Sequence, residues 1–367
     1  MPSVDYCSEL VTNPILSVEE SRRRASLHIQ INNLWSKIGK EAVVSMEVHK
    51  TILDAIGNTP LVRLNKVSKG LKPTILAKLE NLNPGGSVKD RIGIAMVEQA
   101  EQKGLLKPGG TIIEPTSGNT GVGLAMVAAV KGYKMIFVMP DKMSEEKRSI
   151  LRAYGAKVVV TPTNVSPESP EHYTKVAERL ARETPQSYMP NQYENRANPD
   201  AHFRATGPEI WRQTEGKVDV FVCGMGTGGT ITGTGRFLKE KKKALKVVGA
   251  DPEGSIFYPR FHQQKEQPHQ YKVEGIGEDF MPGTLDMSII DDVIQVSDTD
   301  AFQMARRLAQ EEGIVVGGSG GTAVQAALRV AERLDEHKTI VTLLPDTGRN
   351  YLSKLFSDKW MKEQGFQ

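Results

Sequence analysis

From Thr51 onward the chain alternates short apolar runs with longer segments of helical spacing, and that alternation leaves few folds open. Ile75, Ala77 and Leu79 alternate with polar neighbours in a strand over 74–80. Further strands are predicted over 111–114, 135–139, 157–161, 218–223, 246–251, 314–316 and 339–344. Helices are predicted between them over 91–101, 122–131, 144–154, 170–183, 230–241, 300–312 and 322–334, with one more running through Trp211. Strands this apolar, separated by helices, imply a parallel sheet covered on both faces. The length of 367 residues leaves room for about two such domains. Residues 252–287, rich in Gly, Pro and His, are too long for an ordinary connection, a length that goes with function or mobility. Residues 1–45 differ from the rest. They lack the apolar core of a signal peptide, and Asp5, Glu9, Glu19 and Glu20 do not suit a mitochondrial presequence. They are expected to form a loosely ordered extension, with Met46 preceding the first folded segment.

Composition works by exclusion. Lysine and arginine number 47 against 44 acidic residues, so no nucleic-acid partner is expected. No apolar run reaches the roughly 18 residues that span a bilayer, so no membrane partner is expected either. Cys7 and Cys223 form no C-x-x-C pattern, which argues against a zinc site, a redox dithiol or a secreted disulfide framework and for a reducing, cytoplasmic setting. No metal is expected, and Cys223, ending a strand, reads as a buried thiol.

Ligands of parallel α/β sheets bind beyond the carboxyl ends of the strands, and the unusual residues of this chain lie there. In Asn83–Arg91, Pro84, Gly85 and Gly86 break the strand, Ser87 is placed to cap a helix, and Lys89 falls in its first turn. The helix dipole and partial burial disfavour an ammonium there, so the amine would titrate below about 10.4 and act as a nucleophile toward a carbonyl. The competing reading is a surface lysine opening an amphipathic helix. Thr116, Ser117 and Asn119, among the glycines of Pro115–Gly121, suit a carboxylate cradle, whereas a simple capped turn would need only one of them. Gly224, Gly226 and Gly229 spell a dinucleotide turn, with Asp251 lying 22 residues beyond Gly229 where a ribose-binding acid would fall. Thr227 and Thr230 in the same loop favour a compact phosphate monoester, and both readings stand at this point. Ser319 is a single hydroxyl in the glycine run Gly317–Gly321, and the loop Pro345–Gly348 follows the last strand.

These loops, in this order, resemble those of the fold-type II pyridoxal-phosphate enzymes, in the branch that holds the cysteine synthases and cystathionine β-synthases. The resemblance runs from Gly57-Asn-Thr-Pro60 to Asp358-Lys-Trp360. It implies a two-domain α/β fold of the tryptophan synthase β-like kind, each domain a twisted, mostly parallel sheet covered by helices. Residues 46–82 and 193–367 would form a large cofactor-binding domain, and 83–192 a smaller mobile substrate-binding domain. The cofactor would be pyridoxal 5'-phosphate. By the same resemblance Lys89 is the catalytic residue and joins the cofactor aldehyde, Asn119 meets its ring hydroxyl, and Ser319 meets its pyridine nitrogen. Gly226, Thr227, Gly228, Gly229 and Thr230 would hold its phosphate, and Thr116, Ser117, Thr120 and Gln192 the substrate carboxylate.

The implied activity is β-replacement, condensing L-serine with L-homocysteine to L-cystathionine and water. Lys89 would take the α-proton as general base and return it to the leaving hydroxide. By the same resemblance, the segments Asp251–Ser255 and Glu274–Phe280, with Met281 and Pro282 after them, favour this activity over that of the cysteine synthases, although Glu278 stands where animal members carry an aromatic residue. The alternative within the branch is cysteine synthase chemistry on O-acetylserine and sulfide. More distant alternatives are an NAD-dependent oxidoreductase built on Gly224–Gly229 and a catalytically silent relative. A homodimer is expected from the family. The paired C-terminal regulatory modules of many members are expected to be missing, and haem is not expected because Cys7 and His28 do not match the haem-binding spacing.

Overall fold

The computed structural model describes residues 48–367 apart from 117, 142, 144 and 167. In chain order its strands are β1 (Leu61–Arg63), β2 (Thr74–Leu79), β3 (Thr111–Glu114), β4 (Lys134–Pro140), β5 (Lys157–Thr161), β6 (Ser187–Tyr188), β7 (Val220–Gly224), β8 (Lys246–Pro252), β9 (Asp292–Val296) and β10 (Thr339–Leu344). The helices are α1 (Lys89–Gln102), α2 (Asn119–Lys131), α3 (Glu145–Ala153), α4 (Tyr173–Glu183), α5 (Ala197–Ala201), α6 (Gly207–Gln213), α7 (Gly229–Lys241), α8 (Phe257–Phe261), α9 (Asp298–Arg307), α10 (Gly318–Ala331) and α11 (Asp358–Glu363).

A six-stranded sheet has the order β1-β2-β10-β7-β8-β9, and a four-stranded sheet the order β5-β4-β3-β6. Every pairing is parallel except that of the edge strand β1 with β2. Alternate residues of each strand serve opposite faces. In β7, Val220 and Val222 pack with α9 and α10, whereas Phe221 and Cys223 pack with Ile210 of α6 and Ile231 of α7. In β3, Ile112 faces α1 and α2, and Ile113 faces Val176 and Ala177 of α4. The fold is therefore α/β with two mostly parallel sheets, each helix-covered.

Register brings distant loops together. β2 and β10 pair from Thr74 beside Thr339 to Leu79 beside Leu344. The segments that follow these strands leave the sheet side by side, and Val88 N–H donates to Pro345 O at 2.8 Å. Thr347 N–H donates to Gly86 O at 3.0 Å.

Several expectations are corrected. Strand β9 went unpredicted, because it is only five residues long, opens on Asp292 and lies beside an irregular segment. Residues 314–316 are not a strand, and only Val316 bridges to Thr347. Helix α10 starts at Gly318, so the glycine run is helical, and Gly321 is needed there because a Cβ would lie 1.9 Å from Ala301 O. The helix predicted through Trp211 is interrupted by a π-turn at His202–Thr206. Ser87 is not the cap of α1. Val88 holds that position, although the Ser87 hydroxyl still accepts from Lys89 N–H at 3.2 Å. The predicted extension 1–45 lies outside the described residues.

Candidate active site

Lys89 is the first residue of α1, and its neighbours fix that helix end. Asp90 is buried and accepts from Gly85 N–H at 2.6 Å, which folds the turn back onto the helix. Arg91 lies in a buried ion cluster. Its guanidinium donates to Glu80 at 2.6 and 2.8 Å and to Glu209 at 2.7 and 2.8 Å. Lys78, fully buried in β2, adds a 2.7 Å bond to Glu209 and another to Thr59 O. Burial works against the charge on Glu209, yet Arg91 and Lys78 hold its carboxyl down at about 2. A pair satisfied this fully is costly to break.

The Lys89 side chain reaches into a cavity of about 920 Å³ at the carboxyl ends of β2, β3, β7 and β10. Burial pushes its amine below the usual lysine range, opposed by Cys223, Glu278 and Asp346 nearby. No described residue hydrogen-bonds it. The cavity gathers Lys89, Thr116, Asn119, Thr120, Gln192, Gly226, Thr227, Gly228, Thr230 and Ser319 from the expected set. Gly229 stands behind the loop, because a Cβ there would fall 1.9 Å from Asn198 Oδ1. Ser117 lies outside the described residues.

On the α2 side, the Thr120 hydroxyl donates to Gln192 Oε1 at 2.6 Å. Gln192 is held in turn by Glu114, whose carboxylate accepts from Asn191 and Gln192 N–H at 3.1 and 3.4 Å. Burial lifts Glu114 to about 7. Asn119 donates to Asp346 Oδ2 at 2.9 Å, and the Tyr351 hydroxyl donates to the same oxygen at 2.7 Å. Asp346 Oδ1 is buried with no partner, and burial raises this carboxyl. In the glycine loop Gly228 adopts φ +81° at the start of α7, a turn that side chains resist. Ser319, in the first turn of α10, is 2% exposed and its hydroxyl meets no described partner.

Sequence reasoning gave no role to Asp346, Tyr193, Lys147 or Lys354, all of which line the cavity. Only the placement of Asp346 just beyond a strand end could have flagged it. Glu278 is half-buried, accepts from the Tyr193 hydroxyl at 3.1 Å, and is lifted by burial to about 7. Glu274 accepts from Lys147 of α3 at 2.6 Å and also from Lys354. Among the described residues no cluster of three or more metal-ligating side chains occurs.

The donor set fits a phosphorylated aldehyde. An unpaired primary amine, a loop of hydroxyls and N–H groups at a helix start, and an unpaired hydroxyl at a second helix start converge on one space. The dinucleotide reading fits less well. Asp251 is fully buried, accepts from Tyr258 N–H at 2.8 Å and does not line the cavity, so it is spent inside the fold.

The family described as pyridoxal-phosphate dependent enzyme matches residues 52–346. The chain belongs to that family. It is 54% identical over 317 residues to cystathionine beta-synthase of Apis mellifera, covering 86% of this chain and 63% of that protein. It is 52% identical over 324 residues to cystathionine beta-synthase of Rattus norvegicus, covering 88% of this chain and 58% of the relative. It therefore spans about three-fifths of the length of the curated relatives it matches. A solved O-acetylserine dependent cystathionine beta-synthase from Helicobacter pylori is similar with TM-score 0.77 and 42% identity, covering 84% of this chain and 99% of that one. A hydrogen sulfide-producing enzyme from Fusobacterium nucleatum matches with TM-score 0.77 and 40% identity, over 82% and 97% of the two chains.

Proposed function

We propose that this protein carries out pyridoxal-phosphate-dependent β-replacement, condensing L-serine with L-homocysteine to give L-cystathionine and water. The observation that carries the reading is the unpaired Lys89 amine facing the same cavity as the Thr227–Thr230 loop and Ser319, in a chain about half identical to cystathionine beta-synthases.

Lys89 would bind the cofactor covalently. Gly226, Thr227, Gly228 and Thr230 would hold its phosphate, with Gly229 letting α7 seat against Asn198. Asn119 and Ser319 would meet the ring. Bound there, pyridoxal phosphate supplies an electron sink that acidifies the α-proton of an attached amino acid and loosens its β-substituent. The chain's own groups do the rest. Thr116, Ser117, Thr120 and Gln192 grip the substrate carboxylate and so aim the α-hydrogen at Lys89. The lysine amine, pushed by burial below the usual lysine range, takes that proton and delivers one to the departing hydroxide. A serine hydroxyl at Ser319 accepts or donates weakly, without the fixed negative charge that would hold a proton on a ring nitrogen.

The alternative first substrate is O-acetylserine, with sulfide or homocysteine as the thiol. It is supported by the likeness to the Helicobacter pylori enzyme. Steady-state rates with serine plus homocysteine against O-acetylserine plus sulfide decide between them. A preference for the latter pair by more than tenfold, about 1.4 kcal/mol, would overturn the proposal. A cytoplasmic homodimer is part of the same reading, on the family resemblance. Among the described residues no helix is long and apolar enough to cross a membrane.

A further inference from the structure

Beneath the glycine-threonine loop lies a tier of side chains that the proposed reaction does not use. α5 runs into the π-turn His202–Thr206, where Gly207 N–H reaches back to His202 O. Asn198 and His202, four residues apart, thus approach Thr227 and Thr230, and both are fully buried. α7 is pressed onto this tier at two glycines. A Cβ on Gly229 would lie 1.9 Å from Asn198 Oδ1, and one on Gly233 1.9 Å from Pro199 O.

Hydrogen-bond chemistry constrains the directions. Asn198 Nδ2 donates at 2.8 Å to Gln192 O, which can only accept, so the amide orientation is fixed. Its other hydrogen goes to Thr227 Oγ1 at 3.1 Å, and Gly229 N–H points at the same oxygen from 3.4 Å. With two donors aimed at that oxygen, the hydroxyl proton of Thr227 is left to point elsewhere. His202 has Nδ1 at 2.9 Å from Thr206 Oγ1 and Nε2 at 3.2 Å from Thr230 Oγ1. Burial, and then the Arg91 charge, hold the imidazole well below its usual range and so neutral. It therefore carries one N–H, and its tautomer decides whether Thr230 receives a proton from the ring or gives one to it.

We propose that Asn198 and His202 are positioning residues for the cofactor phosphate: Asn198 donates into Thr227, the Nε2-protonated form of His202 donates into Thr230, and both threonine protons are thereby aimed at a phosphate dianion. The inference rests on the pyridoxal-phosphate reading. Thr206 O–H to Nδ1, Nε2–H to Thr230 Oγ1, and Thr230 O–H to the anion form a head-to-tail chain in which each donor polarises the next. The opposite tautomer would turn the Thr230 proton away from the anion.

The test compares pyridoxal 5'-phosphate with pyridoxal, which lacks the phosphate, binding to cofactor-stripped protein by visible absorbance. In His202→Leu and Asn198→Leu, affinity for the phosphorylated form should fall about ten- to hundredfold and that for pyridoxal by less than about twofold, the scale typical of outer partners of a binding group. His202→Gln, which restores an N–H donor, should recover most of the loss. Equal losses for both ligands, or none, would overturn the inference. On the wild-type holoenzyme, ¹⁵N NMR should find His202 neutral with the proton on Nε2, and an Nδ1–H form or an imidazolium would be a refutation. Wild-type protein that takes up no pyridoxal phosphate would defeat the functional reading instead. The same ¹⁵N experiment with inorganic phosphate would then judge the tier alone.

Discussion

At the scale of single residues, the site is a set of groups held away from the protonation states they would have in water. Lys89 is the clearest, a lysine pushed by burial toward its neutral form. Lys89→Ala should lower turnover by at least about 10³-fold, the scale of a lost acid–base group. It should also abolish the mass adduct trapped by borohydride, which intact-mass analysis reads directly. Glu278 makes a pH prediction. Its folded value is lifted by burial from 4.5 to about 7. A raised carboxyl favours the folded state below its unfolded value, and that contribution is lost as pH climbs to the folded value. Replacing it by glutamine removes the titration but keeps an acceptor for the Tyr193 hydroxyl. Melting curves should therefore show Glu278→Gln gaining stability relative to wild type between pH 5 and pH 8, and a constant difference across that range would refute the assignment. The place of Lys89 and of the threonines at the cavity was legible in the sequence because the cues are local, a helix start after a glycine turn and hydroxyls among glycines. Glu114, Asn198 and His202 were not legible. Each acts through a partner far along the chain, as Glu114 does on Gln192 across 78 positions.

At the scale of elements, α1 carries the lysine and is held from two sides. The Arg91 cluster ties it to β2 and α6. Arg91→Met would leave the buried Glu80 without its cation and Glu209 with Lys78 alone, and should cost about 3–5 kcal/mol in chemical denaturation, the penalty for a buried pair that loses one partner. A cost below about 1 kcal/mol, the scale of an exposed pair, would mean that the cluster opens to water. On its other side α1 crosses α2 at two glycines. A Cβ on Gly123 would lie 2.8 Å from Lys89 O, and one on Gly93 2.7 Å from the Gly123 carbonyl carbon. Gly123→Ala must therefore push the helices apart at the lysine itself. About 1–3 kcal/mol of stability should be lost, as for other overpacked interiors, and activity should fall more than the unfolded fraction accounts for. The helices themselves were readable from spacing and strands such as β3 and β5 from their apolar runs, but β9 was not. Its five residues gain their strand character from pairing with β8 rather than from their own pattern.

At the scale of the molecule, residues just beyond strands of both sheets line the cavity, and we propose that residues 83–192 form a lobe that moves to close it. Lys147 on α3 and Lys354 beyond β10 share Glu274 in the cavity wall. If that bridge holds the closed form, Glu274→Gln should raise the KM for the amino-acid substrate by up to about fivefold, consistent with a partly exposed ion pair, while kcat stays nearly constant. A fall in kcat with unchanged KM would remove the bridge from any part in closure. The sequence by itself determined the alternation of strand and helix, the glycine turns at strand ends and the chemical types available there, because those follow from side-chain periodicity and backbone freedom over a few residues. Which loops share a cavity was decided by tertiary structure alone. Parallel register sets the end of β2 beside that of β10 and the end of β7 beside that of β8, and packing then brings Asn119 within 2.9 Å of Asp346, a partner 227 positions away that no local pattern names.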